Sequence, residues 1–354
     1  MVRMGLFRLG QLLFTAWGLV TLLFIFTHAV PNNDPLPDRV AALAGSGAST
    51  SAEQLQRAQQ AARQRLGLTR PLFYFSHASA SEHQLLAPRW RWNGTHNQYH
   101  QWLRELLHGN LGQSYWSQEA ATALIGQALR VTVPITCLAA LLIGGLSVTL
   151  GLWLASTPGS GWVLTGLYLL DSLPVFVVAL LLLLLLANPD FLTLLPTYGL
   201  GMEDEPGGGT GSLFIQPAFL VLPLASLVFP GLTEPTLQLV RALNHEARLD
   251  YMLTARAKGL STGQALRRHA LRNALLPTLT LFTELLPNLL AGAVVVELIF
   301  ALPGLGRLLA DAAATRDYPV LLGGILVVLV ARQLSLALAD WLYQLTDPRL
   351  RANR

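Results

Sequence analysis

The chain of 354 residues is 52% hydrophobic and 12% charged, with a mean hydropathy of +0.45. These values exclude a pair of soluble domains: residues 131–170 carry no Asp, Glu, Lys or Arg, room for most of two bilayer crossings at ~20 residues each. The net charge of +4 and pI near 9.5 do not mark a nucleic-acid binder, because the basic residues gather in loops between apolar runs, where a positive-inside bias accounts for them.

In chain order, Arg3 and Arg8 precede an apolar run over 9–30. It is longer than the ~7–15-residue core of a secretory signal, so a retained first span with its N-terminus in the cytoplasm is expected. Residues 31–130 are more polar and read as an extracytoplasmic region. They contain a flexible patch, "AGSGASTSAEQ", and then "LQRAQQAARQRLGL", which sets Leu55, Ala58, Ala62 and Leu66 along one helical face. "WLRELLHGNLG" and "EAATALIGQAL" read as further amphipathic helices. His96, His100 and Trp102 have a spacing compatible with one helix face, and a surface role is expected there rather than a metal site.

Five more spans are predicted, at about 131–155, 161–187, 214–240, 276–302 and 319–345, making 131–345 the membrane core. Cys137 lies in the second as a small packing residue; as the one cysteine it forms no intrachain disulfide. Pro217, Pro223, Pro230 and Pro235 punctuate the fourth, which must therefore kink. Between the fourth and fifth, the loop 241–276 holds Arg241, Arg248, Arg256, Lys258, Arg267, Arg268 and Arg272, and the tail 346–354 adds Arg349, Arg351 and Arg354. The loop 188–212 has no basic residue, and 301–318 only Arg307 and Arg316. Both termini are thus expected in the cytoplasm. The turn "STPGSG" contributes no basic residue to that count.

The oddest stretch is "LDYMLTARAKGLSTGQALRRHALRNALLP", residues 249–277, which holds the only lysine. Asp250 stands where an N-cap belongs, "YMLTARAK" makes a two-turn helix, and Gly259 supplies the positive φ that ends it. "STGQ" from Ser261 matches a capping box and opens a second helix that runs to Pro277. A basic amphipathic helix lying on anionic headgroups would also be rich in arginine. The alternative is a compact knob that docks in a groove of a soluble partner.

"DYMLTARAKGLSTGQALRRHALRNALLPTLT" resembles the cytoplasmic coupling loop of the membrane-spanning subunits of ABC transporters, and above all those of the peptide and nickel importer group. "LGLTRPLFYF" and "QYHQWLRELLHGNLGQSY" are similar to that group's extracytoplasmic region. "LAGAVVVELIFALPGLGRLLADAAATRDYPVLLGGIL" is similar to its fifth span and following loop, and "DWLYQLTDPRLR" to its C-terminus. The chain departs from the group at "VPNNDP", where a Pro-Gly-Asp-Pro-like turn is usual, and in insertions at 43–53 and at "GMEDEPGGGTG".

The resemblance implies an all-α integral membrane protein with about six transmembrane helices. It places an extracytoplasmic insertion between the first and second, and a cytoplasmic coupling-helix loop between the fourth and fifth. It implies a permease subunit of an ATP-driven importer of peptides in the bacterial inner membrane. The implied partners are a second permease, two ATP-binding subunits and an extracytoplasmic binding protein, with nickel, polyamines or antimicrobial peptides as alternative cargo. Asp250, Thr254, Ala255, Arg256, Ala257, Lys258, Gly259, Leu260, Ser261, Arg267, Arg268 and His269 would face the ATPases. The chain itself should carry no cofactor and no metal: Lys258 precedes Gly-Leu, so the Gly-Lys-Ser/Thr that grips ATP phosphates is not built here, and ATP with Mg²⁺ is expected on the partner subunits. "HEARLDY" lacks the second histidine of a zinc-protease helix, and no Gly-x-Ser-x-Gly elbow occurs, so the chain is not expected to be an enzyme.

Ionisable residues inside spans are functional candidates because lipid burial is costly. Asp171, Glu234, Glu284 and Arg332 fall within the third, fourth, fifth and sixth spans. They are read either as lining a substrate path or as pairing internally, and a stand-alone ion-coupled transporter using Asp171 and Glu284 is the reading from a different class. Asp171 is expected about ten residues into a straight span, ~15 Å deep. Glu297, Pro303, Gly304, Gly306 and Arg307 are read as a tight, re-entrant element at the outer face that either narrows a gate or stabilises packing. Asp340, Asp347 and Arg349 are read as helix-end residues.

Overall fold

The computed structural model describes residues 69–77, 90–188, 190–196 and 217–346, with positions 10, 14–15, 17–22, 24–25, 57 and 60. The patch at 44–54, most of "LQRAQQAARQRLGL", the insertions at 43–53 and 201–211, "VPNNDP" and the tail 347–354 lie outside the described residues. The described part of the first span is helical, and the chain forms two compact units: 1–127 with 308–329, and 128–307 with 330–354.

In the first unit, strands β1 (Phe75–His77) and β2 (Trp90–Trp92) pair antiparallel, Ser76 opposite Arg91. Helix α1 (Gln98–Leu107) begins at Asn97, whose Oδ1 accepts the His100 N–H at 2.7 Å. His96 therefore precedes the helix, and the expected shared face with His100 and Trp102 does not form. The apolar face of α1 is fixed by aromatic packing. Tyr99 is buried against Phe24 and Phe73, with ring centroids 5.3 and 5.0 Å apart, and its hydroxyl meets Thr21 Oγ1 at 2.7 Å. Buried Asp317 ties the chain across a long sequence separation, accepting hydrogen bonds from Ser114 Oγ and from Tyr115 N at 3.1 Å.

Helix α2 (Ala121–Ser156) has 36 residues and absorbs "EAATALIGQAL", which the sequence read as a separate helix. Nothing between Ala121 and Ser156 breaks the helix except Pro134, whose missing N–H is tolerated inside an apolar helix. The expected third span is broken: α3 (Gly161–Asp171) and α4 (Val175–Leu186) meet at 107°. Pro174, extended at φ −59 and ψ 148, caps α4, and a proline there disfavours helical backbone at Leu173. Asp171 thus ends α3 at the corner instead of sitting within a straight span.

Helix α5 (Pro217–Glu246) continues through Pro223, Pro230 and Pro235. Packing holds it there: Leu222, Leu227 and Val228 are buried in one core with Ile135, Ala139 and Ile143 of α2 and Ala179 of α4. Contact is close enough that a methyl at Gly231 would come 2.6 Å from Ile143 Cδ1.

Helices α6 (Asp250–Ala257) and α7 (Thr262–Ala265) follow, then a π-helical turn over Leu266–Ala270. Helix α8 (Leu271–Ile299) runs on through Pro277 and Pro287, so Pro277 is not the boundary expected. Helices α9 (Leu305–Ala314) and α10 (Tyr318–Thr346) complete the described elements.

Among the described residues, three helices are long and apolar enough to cross a membrane, within α2, α5 and α10, or four if the bent α3–α4 pair is one span. The first of the six expected spans lies largely outside the described residues. Leu141 on α2, Leu169 on α3 and Leu334 on α10 are 74%, 65% and 66% exposed. Large apolar side chains bared on helix after helix need hydrocarbon or another protein against them, not water.

Candidate functional site

The polar stretch between α5 and α8 is a compact element with two unlike faces. Met252 and Ala255 of α6, Ala265 of α7, and Leu266 and Ala270 of the π turn are buried with Leu239 and Leu243 of α5 and Ala274 of α8. Asp250, Thr254, Arg256, Ala257, Lys258, Gly259, Ser261, Arg267, Arg268 and His269 are exposed, and Leu260 is half-buried. Ala255, included among the contact candidates, instead points into the core and seats the helix. The sequence builds this knob by local means. Gly259 has φ +90, a conformation that a side chain opposes, and it reverses the chain after α6. Ser261 Oγ then accepts from Gln264 N at 3.4 Å while Gln264 Oε1 accepts from Ser261 N at 3.2 Å, the reciprocal cap expected.

Two local expectations are corrected. Leu249, not Asp250, is the N-cap of α6; Asp250 is the first helical residue, where its charge favours the helix dipole. The second helix is also not α throughout. A π turn over Leu266–Ala270 interrupts it, and Leu266 and Ala270, four apart, are both buried.

A second anchor was not read from the sequence. Glu246, at the end of α5, accepts hydrogen bonds from Tyr251 Oη of α6 and from Asn273 Nδ2 of α8, the latter at 3.3 Å. Partial burial, then the Glu246 contact, hold the Tyr251 phenol above its usual pKa, so it stays protonated and donating. Three elements are thereby tied at one carboxylate. Tyr251 lay within the quoted stretch, but neither partner is marked by local pattern.

The intramembrane charges are separate side chains. Asp171, Glu234, Glu284 and Arg332 are all exposed on the isolated subunit. Internal pairing, one of the two readings of these residues, finds no contact among them in the described residues.

The element over 297–307 is closely built. Glu297, near the end of α8, is 2% exposed. Its carboxylate accepts from Thr132 Oγ1 at 2.6 Å, Gly306 N at 2.6 Å and Arg307 N at 3.2 Å. Thr132 Oγ1 in turn accepts from Leu305 N at 2.7 Å. Ala301 turns the chain at φ +53, and Arg307 Nη1 donates to its carbonyl at 2.8 Å. Neither Gly304 nor Gly306 has room for a side chain: a Cβ at Gly304 would lie 2.2 Å from Glu297 Cδ, and one at Gly306 would lie 2.3 Å from the Val294 backbone at Cα. Pro303 is exposed. Thr132, on a helix 165 positions away, had no signal in the sequence.

The family profile described as binding-protein-dependent transport system inner membrane component matches residues 147–352, more than half the chain and including the whole knob. The chain belongs to this family. It is an ABC transporter permease, and the resemblance drawn from the coupling stretch holds at that level. The permease is 29% identical to the dipeptide transport system permease protein DppB of Escherichia coli (strain K12), over 99% of both chains. It is 32% identical to the di/tripeptide transport system permease protein DppB of Pseudomonas aeruginosa (strain UCBPP-PA14), over 98% of both. Over 178 residues it is 39% identical to the oligopeptide transport system permease protein AppB of Bacillus subtilis (strain 168), covering 47% of this permease and 55% of that protein.

Proposed function

We propose that this permease is the membrane-spanning subunit of an ATP-driven peptide importer, joined to separate ATPase subunits by the knob of α6, α7 and the π turn. One observation carries the reading: an exposed basic face sits on a buried apolar underside packed directly against α5 and α8. A partner that pushes on Arg256, Lys258 or Arg267 therefore moves two long helices, because a packed core transmits displacement instead of absorbing it. The full-length match to permeases of dipeptide and di/tripeptide systems supports peptide as cargo. ATP and Mg²⁺ would sit on the partner subunits, with a second permease completing the path and an extracytoplasmic binding protein supplying substrate. The orientation with both termini in the cytoplasm puts the knob on the side where ATP is.

Reconstitution tests this directly. Proteoliposomes holding the permease with its second permease, ATPases and binding protein should take up labelled dipeptide only with ATP. Solute movement by the permease alone under a proton or sodium gradient would establish the ion-coupled reading instead. Nickel or spermidine outcompeting dipeptide would move the cargo assignment.

The exposed carboxylates extend the reading to selectivity. Asp171, Glu234 and Glu284 outnumber Arg332, which favours a substrate carrying a positive charge along the path. Asp171→Asn and Glu284→Gln are each expected to reduce the preference for a lysine-containing over a neutral dipeptide, by about threefold for partly solvated charges. An unchanged uptake ratio at normal expression would remove these residues from the path.

A further inference from the structure

A cleft on the first unit is used by neither the knob nor the membrane charges. Its volume is about 560 Å³, and its lining includes Arg70, His100, Gln101, Arg104, Glu105 and His108. Small-molecule sites fall in the range of ~300–1,000 Å³.

The lining is held in place. Helix α1 turns Tyr99 into the aromatic core, which fixes its rotation and leaves residues 100, 101, 104 and 105 on the cleft side. Arg70 Nη1 donates to Gln101 Oε1 at 2.6 Å, and Gln101 Nε2 donates to Glu105 Oε1 at 3.2 Å, so one wall is a connected chain. His100 Nδ1 meets Tyr74 Oη at 3.0 Å, and His108 Nδ1 donates to the Arg104 carbonyl at 2.7 Å. Each ring therefore keeps only Nε2 for a ligand. The Arg104 guanidinium and Glu105 Oε2 make no hydrogen bond among the described residues. Among the described residues no three His, Cys, Asp or Glu side chains are placed to hold a metal ion.

We propose that this cleft binds a small zwitterion, a short peptide held by its free termini, with Arg104 receiving the carboxylate and Glu105 the ammonium. A cation beside an anion on adjacent residues selects a molecule carrying both charges, and Glu105, held by Gln101, loses little freedom on binding. The inference rests on the peptide reading above and adds a substrate contact outside the membrane core.

Titration calorimetry of the full chain in lipid nanodiscs tests it with Ala-Ala, its C-terminal amide and its N-acetyl form. Both blocked forms should bind at least about tenfold more weakly, the loss expected for a missing charge-assisted pair. Arg104→Gln should weaken Ala-Ala by about the same factor and leave the amide unchanged. Arg91→Gln, which removes an exposed arginine elsewhere on the unit, should change neither. Equal affinity for all three peptides, no binding of Ala-Ala, or an equal loss with Arg91→Gln overturns the proposal. So does an Arg104→Gln variant that loses the binding protein but keeps Ala-Ala. ATP-driven Ala-Ala uptake by the assembled transporter separates the two readings: uptake without binding to this chain sinks the cleft alone, and absence of uptake sinks the peptide assignment.

Discussion

Replacing Glu297 with alanine is expected to destabilise the junction of α8 and α9 by about 3 kcal/mol or more. The substitution strands the N–H groups of Gly306 and Arg307, which donate to that carboxylate, and takes from the Thr132 hydroxyl the nearer of its two acceptors, the other being the Ala128 carbonyl at 3.4 Å. Leaving a buried polar group without its partner costs about 1–3 kcal/mol, and three are affected here, with local relaxation recovering part of the loss. It also leaves a void beside Gly304, whose lack of a side chain admits the carboxylate. The conservative Glu297→Gln keeps an acceptor for the two N–H groups and should fall between wild type and alanine. Gly304→Ala should resemble the alanine variant, because its Cβ would overlap the carboxyl carbon. The measurement is thermal unfolding of the purified permease in nanodiscs, where a fall of roughly 5–10 °C is expected. If Glu297→Ala melts with the wild type, the carboxylate is not what holds this loop. Transport by the same variant bears on whether the loop also serves as an outer gate.

Reversing the charge at Arg256 and Lys258 together is expected to reduce ATP-driven uptake by about tenfold to a hundredfold while leaving the melting temperature unchanged. Both side chains are exposed and outside the buried underside, so folding does not depend on them. If the knob docks on an ATPase as proposed, the reversal sets like charges against each other across that interface, and such contacts cost several kcal/mol. Two comparisons isolate the mechanism. Ala265→Asp buries a carboxylate in the core under the knob and should lower both stability and uptake. Gly259→Val opposes the φ +90 backbone, redirects the chain between α6 and α7, and should lower uptake more than stability. Uptake and ATPase co-purification that survive the Arg256/Lys258 reversal would assign the basic face to lipid headgroups, the competing reading of this stretch.

The knob was legible in the sequence because its determinants are local. A glycine stop and a capping box act within a few residues, and both appear as read. Membership of the permease family was legible for the same reason, since "TARAKGLSTGQALRRHALRNALLP" is one unbroken stretch. Where the reading erred, tertiary packing had outweighed local preference. Pro277 marks a boundary in a solvated helix, yet α8 runs through it.

By itself, then, the sequence determined that the chain lives in a bilayer, where its apolar runs lie, and which short segment carries the basic knob; composition and near-neighbour chemistry suffice for each. Only the tertiary structure decided which side of that knob is free, that Asp171 stands at a 107° corner, and that Glu297 is a buried tie. Those facts depend on meetings such as Thr132 with Glu297 or Glu246 with Asn273. A contact between distant residues leaves no periodicity or local composition in the chain, so it exists only once the helices have packed.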